Sequence, residues 1–479
     1  MTPTVDTVII GAGWAGAVAA RHLANAGQSV VVLEARDRIG GRAFTLRDNP
    51  GQSFPIDLGC SAIHGYNEGN PAKELAAQAL VEVTLAKAQP RIIVGPEGPL
   101  PAPVQNQLKH NLNEAIVAAR AQARDSIPPG TITLASSLLN PASALFTGLC
   151  ERLTLTQVTQ FAQTLEIPLG ARLDEISMCW YGFEDNFAGS DGVPEGGFQN
   201  LLSKVFVAAR NRGATVRQGE VVAAIEHTSS GPLSNVRVTT ANGTYSARTV
   251  LCTIPLGVLQ SKDAPVFKPS LPARRQAVIA RTKVGALNKL VLSYPLAWWE
   301  PSDVGSFVLL PLDEPHTGDI EQLSLEELLR TTTAVVVAVS TEPKAMLMAM
   351  FGADHAIALE RFQDSELQVG AHEYLVRRLV HQSTGTPPAP THSYLTRWSK
   401  DPFSRGATTT PVQVGESRSP LDFAELAKPL WNGALGFAGE HTSLHNRGSI
   451  AGAVESGLRE AKRIERLLRF WEGLEDHAQ

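Results

Sequence analysis

The sequence predicts an α/β protein whose N-terminal part is a Rossmann-like dinucleotide-binding unit, on three observations. The apolar run Thr7 to Ile10 has the look of a buried strand. It leads directly into Gly11-Ala12-Gly13-Trp14-Ala15-Gly16, and the alanine-rich stretch from Ala15 to Ala26 has helical periodicity. A second strand, Ser29 to Leu33, ends in an acid, Glu34. A G-x-G-x-x-G triplet alone says little in a chain of 479 residues with 40 glycines, but between a strand and a helix it specifies a βαβ unit. Gly11, Gly13 and Gly16 allow the tight turn and a close backbone approach to a pyrophosphate. The helix start at Ala15 supplies unpaired N–H groups and a positive dipole end.

Glu34 stands where a carboxylate accepts hydrogen bonds from both ribose hydroxyls of an adenosine. A 2′-phosphate would be repelled there, which disfavours NADP. The following Glu34-Ala35-Arg36-Asp37-Arg38-Ile39-Gly40-Gly41-Arg42 places two glycines and an arginine where a second loop closes over the diphosphate. Arg42 is suited to a charge-assisted fork on phosphate oxygens. This string is similar to that of the flavin-containing amine oxidase family, which holds monoamine oxidases, polyamine oxidases and lysine-specific histone demethylases. The resemblance implies FAD rather than NAD. It also implies that Phe437-Ala438-Gly439-Glu440-His441-Thr442, near the other end of the chain, completes the same site.

The remaining elements follow in order. Turn-rich Asp48 to Pro55 leads into Ile56-Asp57-Leu58-Gly59-Cys60-Ser61-Ala62-Ile63-His64-Gly65, closed by Asn70-Pro71. Residues 72 to about 178 have mainly helical patterning. Lys109 to Ala123 is the clearest amphipathic case, and Pro99 to Pro103 and Pro128-Pro129-Gly130 are breaks. Gly196-Gly197-Phe198 introduces a helix over Leu201 to Arg212. Strand character returns from Thr215 to Ile254, with alternating Val236-Arg237-Val238 and a turn at Asn242-Gly243. Val266 to Arg397 is mixed, with apolar runs at Leu287 to Leu292 and Ala334 to Val339. Ala434 to Leu468 is strand, turn, then a long helix from near Ser449. The family resemblance implies an interleaved, overall α+β architecture. Residues 1–75, 205–265 and 410–479 would form the FAD domain, and 76–204 and 266–409 a mixed-sheet and helical substrate domain.

Composition agrees with two sizeable cores: 43% of residues are hydrophobic and 19% charged. A net charge of −5 gives no reason to expect nucleic acid. Cys60, Cys150, Cys179 and Cys252 have no metal or redox spacing and are expected as free buried thiols, with no metal site. The first strand begins too early to follow a signal peptide, and no apolar run reaches membrane-spanning length. The last three residues are not a peroxisomal address. The expectation is a cytoplasmic monomer or homodimer with no membrane partner.

Five separated motifs carry the resemblance over nearly the whole chain, and site roles follow from it. Gly59, Ser61, Ala62 and His64 look like the loop under the flavin ring in polyamine oxidases, where a histidine lines the substrate channel. A histidine bonded to its own loop is the competing meaning. Alternation in Leu287-Asn288-Lys289-Leu290-Val291 turns one lysine inward. The matching family lysine holds a water against flavin N5, whereas an edge strand would leave Lys289 solvated. Trp398, in Thr396-Arg397-Trp398-Ser399-Lys400-Asp401-Pro402-Phe403-Ser404-Arg405-Gly406, matches an indole packed near the flavin, with core filling as its competing meaning. Glu440, after Gly439, would accept from a ribityl hydroxyl, and the helix start at Ser449 and Ile450 would aim its dipole at the ring carbonyls. Val222 looks like the residue whose backbone meets adenine.

Three departures accompany these matches. The tryptophan usual before the histidine is Ala62, and the two ring positions that often flank substrate are Thr408 and Ser449. No cysteine lies between Gly439 and Gly452, so FAD would be non-covalent. Glu184, Asp185, Asp191 and Glu195 crowd one loop, either as a polyamine-steering patch or as a solvated acidic surface. The expected activity is oxidation of a polyamine or acetylpolyamine, with O2 reduced to H2O2. An oxidase of another amine is the alternative. A histone-demethylase-like protein or a silent flavoprotein ranks lower, since no sustained heptads indicate a coiled-coil insertion.

Overall fold

The computed structural model describes residues 4–47, 55–86, 91–149, 153–185, 187–228, 235–299, 305–339, 345–380 and 386–478. Most of the turn expected from Asp48, and Cys150, lie outside them.

Strand β1 (Val5–Ile10), helix α1 (Trp14–Asn25) and strand β2 (Val30–Leu33) form the expected βαβ unit. β1 pairs in parallel with β2 on one side and with Gly243–Cys252 on the other. Val8, Ile9, Val32 and Leu33 are wholly buried, because parallel strands covered on both faces need continuous apolar runs. Thr215–Arg217 extends the sheet beyond β2.

On the edge away from β1, the ten-residue strand Gly243–Cys252 has two partners in succession. Its first half pairs antiparallel with Val236–Thr240, and Val250–Cys252 pairs in parallel with Leu435–Phe437. N-terminal, middle and C-terminal segments therefore share one eight-stranded sheet. Helices α1, Phe198–Arg210 and Ile450–Ala478 contribute to its core through Val18, Leu23, Leu201, Val205, Val454 and Ile464.

A second, seven-stranded sheet runs His392–Leu395, Leu287–Ser293, Met346–Gly352, Ala334–Val339, Ser306–Leu309, Arg91–Gly95, Gly98–Pro99. Its side chains alternate between two cores. Phe307, Leu309, Val336 and Leu347 pack with Leu328, Leu367 and Leu375 of the helices Leu325–Thr331 and Asp364–Leu379. Ile93, Val308 and Val335 join Leu108, Leu112, Ala115 and Ala119 of helix Ala102–Ser126. Those helix positions recur at the three- and four-residue spacing that singled out Lys109 to Ala123.

Several expectations need correction. Residues 72 to 178 contain strands Val83–Leu85, Arg91–Gly95 and Gly98–Pro99 as well as helices. The Ile92-Ile93-Val94 run is β-branched and finds a parallel partner in Ser306–Leu309, a long-range pairing that local periodicity does not show. The helix after Gly197 starts at Phe198, and the last helix continues to Ala478. Helix Phe198–Arg210 packs on α1, and Val266–Lys268 pairs with Val222–His227. The junctions expected at 204/205 and 265/266 thus fall among elements of the dinucleotide domain. Cys252 is buried but Cys60 and Cys179 are only half-buried, all three free. Among the described residues no helix is long and apolar enough to cross a membrane, and no cluster of metal-ligating side chains occurs.

The last helix crosses α1 at Gly457, where an added Cβ would lie 2.4 Å from the Ala15 carbonyl oxygen and 2.6 Å from Val18 Cγ2. Gly473, in the same helix, has open space at that position. Gly457→Ala is expected to destabilise by about 1–3 kcal/mol through overpacking. Gly473→Ala is expected to be neutral or to stabilise by up to about 1 kcal/mol. Thermal denaturation of the two variants checks the contrast, and equal effects would contradict the crossing geometry.

A dinucleotide groove opening into an apolar chamber

A single cavity of about 1880 Å³ runs along the ends of β1 and β2 and on between the seven-stranded sheet and helix Ala102–Ser126. At the β1 end, Gly11 has φ +105°, and a Cβ there would sit 2.4 Å from Thr253 Oγ1. That hydroxyl is fixed by donating to the Ile10 carbonyl at 2.7 Å. A Cβ on Gly16 would lie 2.0 Å from the Gly11 carbonyl oxygen, so this glycine lets the helix close on the turn. It does not line the cavity.

Gly13 is different. It caps α1 with no side-chain hydrogen bond, and the nearest atom to a Cβ there is the Gly40 carbonyl oxygen, at 3.9 Å. The protein leaves the space over the helix N-terminus clear. Beside it stands the buried Trp14 indole, next to the Cys60 thiol. An anionic, acceptor-rich group such as a dinucleotide diphosphate suits this cradle.

The Glu34 carboxylate, 5% exposed, accepts from the Ala12 N–H at 2.7 Å and the Arg36 N–H at 3.0 Å. Two backbone bonds orient it on the cavity wall and leave acceptor capacity for ribose hydroxyls. Ala15, Ala35, Gly40, Gly41 and Val222 line the same wall. Val222 stands at a register shift between Val222–His227 and Val236–Thr240.

The two arginines are less free than expected. Arg36 forms a bidentate pair with Asp401, both bonds 2.8 Å, and also donates to Ser404. Its guanidinium therefore ties the loop after β2 to the Trp398 loop. Arg42 donates through Nη1 to Glu440 at 2.8 Å and to the Ala407 carbonyl at 3.1 Å. Glu440 also accepts from Thr409 Oγ1 and the Gly448 N–H, each at 2.9 Å. Arg42 and the Thr409 bond hold its carboxylate below the usual range against the cost of burial. Glu440 lines the cavity with its acceptors already engaged, so its first role here is to clamp the chain ends. The buried His441 beside it drops to about 4, chiefly through desolvation, and stays neutral.

Lys289 is 3% exposed and lies on an interior strand, which removes the solvated-edge reading. Nζ donates to the carbonyls of Asp57, 3.0 Å away, and Gly59, 2.5 Å away. An ammonium has three donors, so one remains for the cavity that Lys289 lines. Burial lowers Lys289 from 10.5 to about 8, partly opposed by the nearby Cys60 and Asp57. Burial also pushes the Cys60 thiol up to about 12.

A buried polar network that sequence reasoning missed positions this strand against Trp398. Glu360 accepts from Asn288 Nδ2 at 2.7 Å and from the N–H groups of Ser399 and Lys400 at 3.0 and 2.9 Å. Thr396 Oγ1 donates to Asn288 Oδ1 and accepts from the Lys289 N–H. Asn288 beside the inward lysine was the available signal. Glu360 offered none, because it reaches the site only through tertiary packing. Trp398, 7% exposed, lines the cavity with Gly59, Ser61 and Ala62.

His64 also lines the cavity, but its side chain is 72% exposed and Nδ1 lies 3.0 Å from Asp191 Oδ2. The Gly65 N–H occupies the other Asp191 oxygen. The acidic patch disperses. Glu184 is consumed in a bidentate pair with the nearly buried Arg447, Asp185 is 90% exposed beside His445, and Glu195 points to solvent. None of these three lines the cavity.

Thr408, Gly439, Ser449 and Ile450 do line it. Ser449 caps the last helix, accepting from the Gly452 N–H at 3.1 Å. Beyond Lys289 and Trp398 the cavity becomes a chamber walled by Leu112, Ile116, Phe161, Leu165, Val308, Val335, Val337 and Met350.

A family profile described as "Flavin containing amine oxidoreductase" matches residues 14–465. The chain is 29% identical over 479 residues to "Lysine-specific histone demethylase 1 homolog 1" of Oryza sativa subsp. japonica, covering 98% of this chain and 53% of that protein. It is 29% identical over 474 residues to the protein of the same name in Arabidopsis thaliana, covering 97% and 52%. It is 27% identical over 470 residues to "Lysine-specific histone demethylase 2" of Homo sapiens, covering 96% and 53%. The chain spans about half the length of these relatives. Their names are those of demethylases, whereas the loop around His64 had suggested polyamine oxidases.

The lowered Lys289 has a thermodynamic signature. The unfolded chain holds more protons than the folded one between about 8 and 10.5, so this residue's contribution to stability rises with pH across that window. Denaturant titrations should show the wild-type protein gaining stability relative to Lys289→Met as pH is raised from 8 towards 10.5. A pH-independent difference would mean that the ammonium is not desolvated.

Proposed function

This chain belongs to the flavin-containing amine oxidoreductase family, and on that premise we propose that it oxidises a C–N bond of an amine with an apolar body. FAD is its cofactor, and the clear cradle over Gly13, with Glu34 at the ribose position, fits that group. With no cysteine between Gly439 and Gly452, the cofactor is held without a thioether link. The observation that carries the proposal is the continuity of one cavity from that cradle, past Lys289 and Trp398, into an apolar chamber.

When bound, FAD supplies the two-electron acceptor for the hydrogen leaving the amine's α-carbon, with O2 as the final acceptor. The net change is R-CH2-NH-R′ + O2 + H2O → R-CHO + R′-NH2 + H2O2. The protein's share is binding and electrostatics. Leu112, Phe161, Val335 and Met350 surround a substrate with hydrocarbon, which favours the neutral amine over the ammonium form. The Lys289 cation acts in the same direction, so no separate general base is required. Its third N–H serves to hold a water, and below about pH 8 its charge favours reduction of O2 nearby. Trp398 gives the amine a flat wall.

With Glu184, Asp185 and Glu195 outside the cavity, the acidic patch expected to steer a polyamine is reduced to Asp191. A second reading, oxidation of a methylated lysine in a peptide, is favoured by the likeness to demethylases. Anaerobic mixing of the FAD-loaded protein with benzylamine, an alkylamine, spermine, acetylspermine and a methyl-lysine peptide tests both readings by bleaching of the flavin. The apolar amines are expected to bleach it fastest. Spermine alone, or the peptide alone, doing so would reject the apolar-body proposal.

Lys289→Met is expected to keep bound FAD while slowing turnover or reoxidation by about tenfold or more, the usual cost of one well-placed electrostatic group. Stopped-flow measurement of both half-reactions checks this, and unchanged rates would remove Lys289 from the mechanism.

A further inference from the structure

The chamber's rim carries charge of the sign opposite to that expected for a polyamine site. Arg91 is exposed at the start of strand Arg91–Gly95, and Lys109 is half-buried on helix Ala102–Ser126; both line the cavity. Lys109 Nζ donates to the Arg91 carbonyl at 2.7 Å, and Arg91 Nε donates to Ser306 Oγ at 3.3 Å. Each head is thus held by a neutral acceptor, and Lys109 feels the Arg91 charge. Among the described residues neither has a carboxylate partner. Lys109 is lowered by burial and by Arg91, with no acid opposing the shift. The one described acid on the chamber's rim, Asp191, is occupied by His64 and the Gly65 N–H.

Like charges near one another repel, and among the described residues no carboxylate offsets this pair's repulsion. An anion placed between them relieves it and gains charge-assisted hydrogen bonds from both heads. Between this pair and Lys289 the wall is hydrocarbon, including Leu112, Ile116, Val308 and Val335.

We propose that Arg91 and Lys109 form a carboxylate-binding subsite and that the substrate is an amphiphile with an amine at one end, an apolar middle and a carboxylate at the other. The assignment rests on the amine-oxidising reading of the same cavity and names its substrate class. A diamine or polyamine would bring an ammonium to the same two cations and be disfavoured. The amino carboxylate presents matched charge at the rim and a neutral amine at the inner end.

Three amines of equal carbon number test this: the alkylamine, the α,ω-diamine and the ω-amino carboxylate, each from hexyl to dodecyl. At the best length, kcat/KM for the amino carboxylate is expected to exceed that for the alkylamine by about tenfold, as one charge-assisted contact allows. The diamine should be poorer than either. In Arg91→Gln/Lys109→Gln, and partly in each single variant, the carboxylate-to-methyl ratio should fall towards one. A diamine that equals or beats the amino carboxylate, or a ratio that survives the double substitution, would overturn the subsite.

Calorimetric binding of decanoate to the FAD-loaded protein separates this proposal from the oxidase reading. Binding that weakens at least tenfold in the double variant supports the subsite even if no amine bleaches the flavin, in which case the oxidase reading fails alone. Oxidation of the plain alkylamine, with no decanoate binding and no carboxylate preference, rejects the subsite and leaves the oxidase reading standing.

Discussion

The site depends on one buried contact: the Lys289 ammonium bonded to the carbonyls of Asp57 and Gly59. The lysine belongs to the seven-stranded sheet, and the two carbonyls belong to the end of strand Ile56–Asp57 and the turn that follows it. A charged head between two sheets is tolerable only when its donors are used, and neutral carbonyls satisfy two of them without cancelling its charge. A carboxylate partner would have neutralised the group. The result is a cation that is fixed, nearly dry and still directed at the cavity. The network of Glu360, Asn288 and Thr396 holds the same strand from behind and sets the Trp398 loop beside it.

A second constraint is the joining of sequence-distant ends. The sheet pairing of Gly243–Cys252 with both β1 and Leu435–Phe437 brings Gly439 and Glu440 beside the glycine turn. Arg42 and Glu440 then lock the loop after β2 to the start of the last helix. Both groups are largely withdrawn from water, so breaking one side would strand the other.

The dinucleotide half of the site was legible because its requirements are local. Gly11 needs positive φ, Gly16 needs close packing, and Glu34 needs the end of a strand, and each leaves a mark within a short stretch of sequence. The inward lysine was legible for a similar reason, since a single cation in an apolar alternating run is conspicuous. What escaped was non-local. Strand Arg91–Gly95 exists because Ser306–Leu309 lies beside it, and Glu360 matters because a fold brings it beneath the Trp398 loop. The acidic loop misled for the converse reason: proximity in sequence did not carry Glu184 into the cavity once Arg447 offered a bidentate partner.

The small side chains at Thr408 and Ser449 have a consequence for how this site could change. A Cβ on Gly448, next to Ser449, would approach Thr408 Oγ1 to 2.5 Å, so the two segments already touch across the gap where rings would stand. Ser449 is also committed to the helix end. Placing a ring at Ser449 would remove the hydroxyl that caps the last helix, so a cage here exchanges a helix cap for an aromatic wall. Laboratory evolution towards such a cage would have to offset the lost cap, about 1 kcal/mol, in the same step.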